Sequence, residues 1–268
     1  MSLLLAIILF TALGGVLGVL AASILLLLSD NWHRRLLPHL ISFAVGALLG
    51  AAFLALLPHA IESAGMESLH EIGLTFVAGI LLFFMLEKLV IWRHCHVHDC
   101  EAHGPDQHLH APERRAGVLV LIGDGLHNLI DGVLVAAAFL VDFHLGVVTA
   151  LAVAAHEIPQ EVGDVAVLLQ SGMSRAKALT YNITASLTAV VGGVAAYFSL
   201  ETAEQARPYV LAVAAGSFVY VAVADLIPGL HRRVDARSGV EQIIMIVMGL
   251  AMILLSHSLL HDGPFPAG

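Results

Sequence analysis

Charge is what this sequence has least of. Only 12% of its 268 residues are Asp, Glu, Lys or Arg, about half the 25% of an ordinary soluble domain. Hydrophobic residues make up 59%, and they come in long runs rather than in a two-residue alternation. That pattern excludes a soluble globular domain and an outer-membrane barrel and predicts a helical membrane bundle. Cysteine is nearly absent: Cys95 and Cys100 are the only two and lie in one polar loop, so no disulfide framework is indicated. A basic leader is missing as well. Leu3 to Leu28 is too long for a signal-peptide core and has no positive n-region, so it reads as a retained membrane span. The net charge of −9 excludes a nucleic-acid footprint.

With roughly 20 apolar residues needed per crossing, eight spans are expected, at about 3–28, 38–60, 72–92, 117–140, 145–170, 178–199, 208–229 and 240–260, with Pro228 interrupting the seventh. The chain thus reads as an all-α integral membrane protein, a single transmembrane domain over 1–268 embedded in a lipid bilayer. Eleven of the 12 basic residues fall in alternate connections, and only Arg207 falls on the other side. The positive-inside rule then places both termini outside and the 94–115 loop in the cytoplasm. Short connections without a large ectodomain suggest the plasma membrane, or the inner membrane of a bacterium. Closely spaced glycines, Gly14, Gly15 and Gly18 or Gly192 and Gly193, let helices approach one another.

The absence that matters most is local. From Ala116 to Ser174 there is no Lys or Arg, yet this stretch holds Asp124, His127, Asn128 and Asp131, then His156, Glu157, Gln160, Glu161 and Asp164. Charge inside a lipid-embedded helix is costly and marks a site or a pathway. On span four, 124, 127, 128 and 131 share one helical face, and 156, 157, 160, 161 and 164 do so on span five. His127 and His156 each lie about 11 residues into their span, roughly 16 Å deep at 1.5 Å per residue. Entering from opposite faces, the two sets meet near the bilayer midplane, where transporters commonly bind their substrates. Pro159, inside the cluster, removes a backbone donor and frees the Ala155 carbonyl.

The side chains offer imidazole (His127, His156), carboxylate (Asp131, Glu157, Glu161) and neutral oxygen (Asn128, Gln160). Imidazole with carboxylate suits Zn²⁺ and first-row metals better than Ca²⁺ or Mg²⁺. A second group of donors is the 94–115 loop. There His94, Cys95, His96, His98, Cys100, His103, His108 and His110 read either as a metal-binding tract or as a solvated linker. Their spacing fits no closed zinc-finger template. His59, Glu62, His257 and His261 are expected near the outer mouth, Asp225 and His231 near the cytoplasmic end, and Asp124 and Asp164 between the site and that end.

HNLIDG at 127–132 followed by HEIPQEVGD at 156–164 resembles the paired signatures of the ZIP family of divalent-metal transporters, close to its LIV-1 branch. LLPHA at 56–60, DLIP at 225–228 and the His-rich loop are similar to that family too, so the resemblance covers essentially the whole chain. It implies eight helices, both termini outside, import of metal into the cytoplasm, and an inverted 3+2+3 repeat around helices four and five. It also implies one metal site of His127, Asp131, His156 and residue 160, an adjoining one using Asn128 and Glu157, and a polar position near Asn182. A homodimer is compatible with it, although no interface can be read from the sequence. Gln160 departs from the branch, which has histidine there, and an amide oxygen is a poorer zinc ligand. A weaker first site, or one shifted toward Mn²⁺ or Fe²⁺, is expected, with Glu161 compensating. Zinc enters as transported substrate, with no cofactor. The rival class is an intramembrane metalloprotease, because HEIPQ nearly matches HExxH; Gln160 in place of the second histidine counts against it.

Overall fold

The computed structural model describes residues 2–27, 30–95, 111–231 and 236–261. Eleven α-helices are described: α1 (Leu3–Leu27), α2 (Asp30–Gly50), α3 (Leu57–Ala64), α4 (Leu69–Cys95), α5 (Ala111–Val141), α6 (Phe143–Gln170), α7 (Arg175–Ser186), α8 (Thr188–Glu201), α9 (Arg207–Tyr220), α10 (Ile227–Leu230) and α11 (Ala236–His261). No strand occurs among the described residues. Seven segments are long and apolar enough to cross a membrane: Leu3–Leu25, Arg35–Ala64, Met66–Lys88, Gly117–Val141, Arg175–Glu201, Glu204–Leu230 and Ala236–Ser256. The eighth expected span is α6. It has the length, at 28 residues, but not the apolarity, because it carries His156, Glu157, Gln160, Glu161 and Asp164. Its face is hidden instead by neighbouring helices, and fourteen of its residues are buried.

The turns follow from local chemistry. Asp142 caps α6 by accepting a 2.9 Å hydrogen bond from Leu145 N, satisfying one of the donors that a helix start leaves unpaired. Gly65 and Gly172, at φ 86° and 84°, end α3 and α6 in the left-handed conformation that glycine adopts without penalty.

Two spans widen where the sequence predicts at most a proline break. Ala51–Leu56 and Val221–Leu226 are π-helical, and each ends two residues before a proline, Pro58 or Pro228. So Pro228 does not interrupt span seven as expected; the backbone absorbs it in a wide turn. Widened turns of this kind gather at functional sites. Pro159 likewise lies inside α6 without breaking it.

The two widened spans belong to a larger pattern. Pro38, Gly46, Pro58, Glu71 and Gly79 recur as Pro208, Gly216, Pro228, Glu241 and Gly249, a constant interval of 170 residues. The packing follows it. α2 lies against α11 and α9 against α4; α1 lies against α6 and α8 against α5. Each of these seams except α1–α6 is set by a reciprocal pair of glycines. A Cβ built at Gly46 would lie 1.9 Å from the Ile246 carbonyl oxygen, and one at Gly249 2.1 Å from that of Phe43. In the α4–α9 seam, Gly79 faces the Val213 oxygen at 2.6 Å and Gly216 that of Phe76 at 2.2 Å. Between α5 and α8, Gly132 and Gly192 face the Ala189 and Leu129 oxygens, each at 1.9 Å. Any side chain there would force the helices apart. Hydrogen-bonding partners repeat as well: Tyr209 donates to Glu71 at 2.8 Å, and His39 pairs with Glu241 at 3.5 Å.

Candidate metal centre

α5 and α6 pack against each other and bring together four ligating groups. His127, Asp131, His156 and Glu157 each place one nitrogen or oxygen within 4.8 Å of the others. His156 Nε2 lies 3.2 Å from His127 Nε2, 3.1 Å from Asp131 Oδ2 and 3.7 Å from Glu157 Oε1. His127 Nε2 lies 3.7 Å from Asp131 Oδ2 and 3.8 Å from Glu157 Oε1. Zinc with ligands at 2.0–2.1 Å in a tetrahedron separates those ligands by about 3.3 Å. The observed spacings bracket that value.

A backbone carbonyl orients the His156 ring. His156 Nδ1 lies 3.1 Å from the Ala152 carbonyl oxygen. A carbonyl only accepts, so Nδ1 holds the proton and the Nε2 lone pair faces the cluster. This is the second-shell arrangement that orients metal-binding imidazoles. Asp131 Oδ2 and both Glu157 oxygens are buried without a hydrogen-bond donor. These carboxylate oxygens and the His156 Nε2 lone pair face one another in a pocket walled by Phe83 and Phe218, whose rings lie 6.1 Å from those of His127 and His156 respectively. Buried acceptors of this kind are costly unless a cation joins them.

From His127 a cavity of about 290 Å³ extends toward the end of the bundle where α4 finishes and α5 starts. Glu87, Asp124, Asp164 and Asp225 line it, with Gln160 and Tyr220 and with no Lys or Arg. Gln160 thus lies on the cavity wall beside His127. Asn128 is buried and donates to Asp124 Oδ1 at 2.8 Å. Glu161 is fully buried and accepts from Ser186 Oγ at 2.6 Å and from Asn182 Nδ2. Asp124, Glu157 and Glu161 form a second convergent group.

The remaining expected residues lie apart from both groups. His59 Nδ1 meets the Ala55 carbonyl oxygen at 2.9 Å, Glu62 is exposed, and His231 is exposed. The side chains of His257 and His261, and those of His94, Cys95, His96, His98, Cys100, His103, His108 and His110, lie outside the described residues. Two participants are absent from the sequence reading. Glu87 follows a long apolar run and precedes Lys88, so it reads as an interfacial flank. Ser186 is a small residue in an apolar span, and no spacing rule marks it.

Apolar spans around a buried imidazole–carboxylate cluster define a multi-pass membrane transporter of divalent metal ions, not an enzyme. The chain belongs to the ZIP family: the family model described as "ZIP Zinc transporter" matches residues 1–115 and 92–257. It is 32% identical over 236 residues to Zinc transporter ZIP13 of Pongo abelii, covering 84% of this chain and 67% of that protein. It is 29% identical over 277 residues to the Zinc transporter ZIP13 homolog of Drosophila melanogaster, covering 84% and 78%. With Zinc transporter SLC39A7 of Rattus norvegicus the identity is 29% over 305 residues, covering 83% and 65%. These relatives place it close to the LIV-1 branch.

Proposed function

We propose that the chain moves divalent transition metals, zinc foremost, into the cytoplasm through the cluster of His127, Asp131, His156 and Glu157. The observation that carries this reading is the convergence of their acceptor atoms, 3.1–3.8 Å apart, with a protonated His156 Nδ1 turned away. Zinc is supported by the mixed nitrogen and oxygen donors and by the relatives' names. Iron, manganese and cadmium are the competing ions.

α6 completes a set of eight spans, with both termini outside the plasma membrane. The constant interval of 170 residues supports an inverted 3+2+3 repeat around α5 and α6. The direction rests on the basic residues, which place the α4–α5 connection in the cytoplasm; the acidic cavity runs toward that end. In this reading α5 and α6 carry the ion past a scaffold of the other helices. The ligands are good enough to strip water from the ion and weak enough to release it to the cavity carboxylates.

The test is ⁶⁵Zn²⁺ uptake into proteoliposomes by the wild type and His156→Ala, with Mn²⁺, Fe²⁺ and Cd²⁺ as competitors. Uptake is expected in the wild type and lost in the variant. Undiminished uptake by a folded His156→Ala protein overturns the site, and no metal uptake by a folded wild type overturns the transport reading.

A further inference from the structure

At the end of the bundle where α5 finishes and α6 starts, one guanidinium holds two helix ends. Arg207 Nε donates to Leu200 O at 3.0 Å, Nη1 to Leu140 O at 3.3 Å and Nη2 to Glu201 O at 2.9 Å. α5 ends at Val141 and α8 at Glu201. All three carbonyls therefore lie in last turns, where a helix has no donor of its own to offer. The Arg207 side chain is only 17% exposed, so water does little to replace these bonds. Glu204 lies 3.6 Å from Nη2 but is 78% exposed, and an ion pair so open to solvent contributes little.

The fork joins parts that are otherwise held separately. Leu140 belongs to α5, and Leu200 and Glu201 to α8; these two helices meet through Gly132 and Gly192. Arg207 is the first residue of α9, which meets α4 through Gly79 and Gly216. The bonds to Leu200 and Glu201 are local, across seven and six residues. The bond to Leu140 spans 67 residues. It ties α9 to α5, the helix that carries His127 and Asp131.

The tie stands at the closed end of the molecule. The cavity beside His127 extends toward the opposite end, where α4 finishes and α5 starts. On the Arg207 side the way to the cluster is filled by packing: Leu134, Ala138 and Phe139 on α5 and Val148 and Ala152 on α6 are buried. Opening this side requires α5 to part from α9, and the bond to Leu140 cannot survive that. Resting on the reading above, in which α5 and α6 carry the ion past the other helices, we infer that Arg207 is the latch of the outer end. It is a positioning residue. It touches no ion, but it holds the chain sealed outward and open toward the cytoplasm until α5 moves.

The test is labelling of intact cells by a membrane-impermeant thiol reagent added outside. The full-length chain carries Ala138→Cys, with its two native cysteines removed as Cys95→Ser and Cys100→Ser. Ala138 shares a face of α5 with Asp131, two turns nearer to the Arg207 end, and is fully buried. With Arg207 present, labelling should be slow. Arg207→Ala should speed it at least about threefold, the population shift that loss of one hydrogen bond produces. Ala47→Cys is the control, because Ala47 is fully buried in the α2–α11 seam, away from the latch. It should label equally slowly with and without Arg207→Ala, which also reports that the variant is folded. Unchanged labelling of Ala138→Cys on Arg207→Ala overturns the inference, as does a rise at Ala47→Cys as large as the one at Ala138→Cys. The transport reading fails separately: no ⁶⁵Zn²⁺ uptake into proteoliposomes by the folded wild type sinks it whatever the labelling shows.

Discussion

Ser186, on α7, donates a 2.6 Å hydrogen bond to Glu161 Oε1, on α6. Both side chains are essentially inaccessible to solvent. The hydroxyl therefore ties a carboxylate of α6 to a neighbouring span, and no water can replace it. Removing it in Ser186→Ala leaves a buried acceptor short of a donor, which costs about 2 kcal/mol. The midpoint of thermal unfolding should fall by about 5 °C. Ser217→Ala is the comparison, because that hydroxyl donates only to Ala214 O within its own helix. A midpoint in Ser186→Ala no lower than in Ser217→Ala would show that Glu161 does not depend on this bond.

Gln160 stands on the cavity wall beside His127, at the position where the LIV-1 pattern carries histidine. Replacing its amide by imidazole gives the first site a further nitrogen donor. Gln160→His is expected to raise zinc affinity about tenfold, near 1.4 kcal/mol, and to make Mn²⁺ and Fe²⁺ poorer competitors of ⁶⁵Zn²⁺ uptake. Equal affinity and an unchanged competition order would remove residue 160 from the ligand set.

Gly132 and Gly192 let α5 and α8 touch through backbone. A Cβ at Gly132 would lie 1.9 Å from the Ala189 carbonyl oxygen. Gly132→Ala must open the seam beside Asp131, so it should destabilise the chain by about 2–3 kcal/mol and slow uptake. Gly163→Ala is the control. Nothing lies within 4 Å of its added methyl, and alanine is favoured over glycine inside a helix by up to about 1 kcal/mol. Similar melting of the two variants would mean that the seam relaxes at no cost.

Arg207 binds three chain carbonyls at once. Its Nε donates to Leu200 O at 3.0 Å, Nη1 to Leu140 O at 3.3 Å and Nη2 to Glu201 O at 2.9 Å. These oxygens lie at the C-terminal ends of α5 and α8, where the helix dipole favours a cation. Lysine offers a compact point charge in place of the planar fork. Arg207→Lys should therefore recover little of the loss in Arg207→Ala, about 2 kcal/mol in stability. Full recovery by lysine would reduce the role of Arg207 to its charge.

Much of this arrangement is legible in the sequence, and the remainder is hidden for identifiable reasons. Long apolar runs predict the spans because lipid requires them. The spacing of 124, 127, 128 and 131 predicts one ligand-bearing face because helix geometry is rigid, and the structure does bring His127, Asp131, His156 and Glu157 together. Gln160, which the sequence marks as a weaker ligand where the branch has histidine, lines the cavity beside His127. Position along a helix gives the face but not the rotamer. Glu87 is hidden because its partner, Tyr220, is supplied by a span distant in sequence. The π-helical segments are hidden because a proline predicts a lost hydrogen bond but not how the preceding turn adjusts.

Positions matched by the interval of 170 residues can differ in kind. Asp225, in the second π-helical segment, corresponds to Ala55 in the first. The end of α3 meets the start of α9, and α2 meets α10. Asp225 lines the acidic cavity, whereas Ala55 is fully buried in the hydrophobic core. Matching positions of the two halves therefore serve different ends, one a carboxylate on a cavity wall and the other close packing.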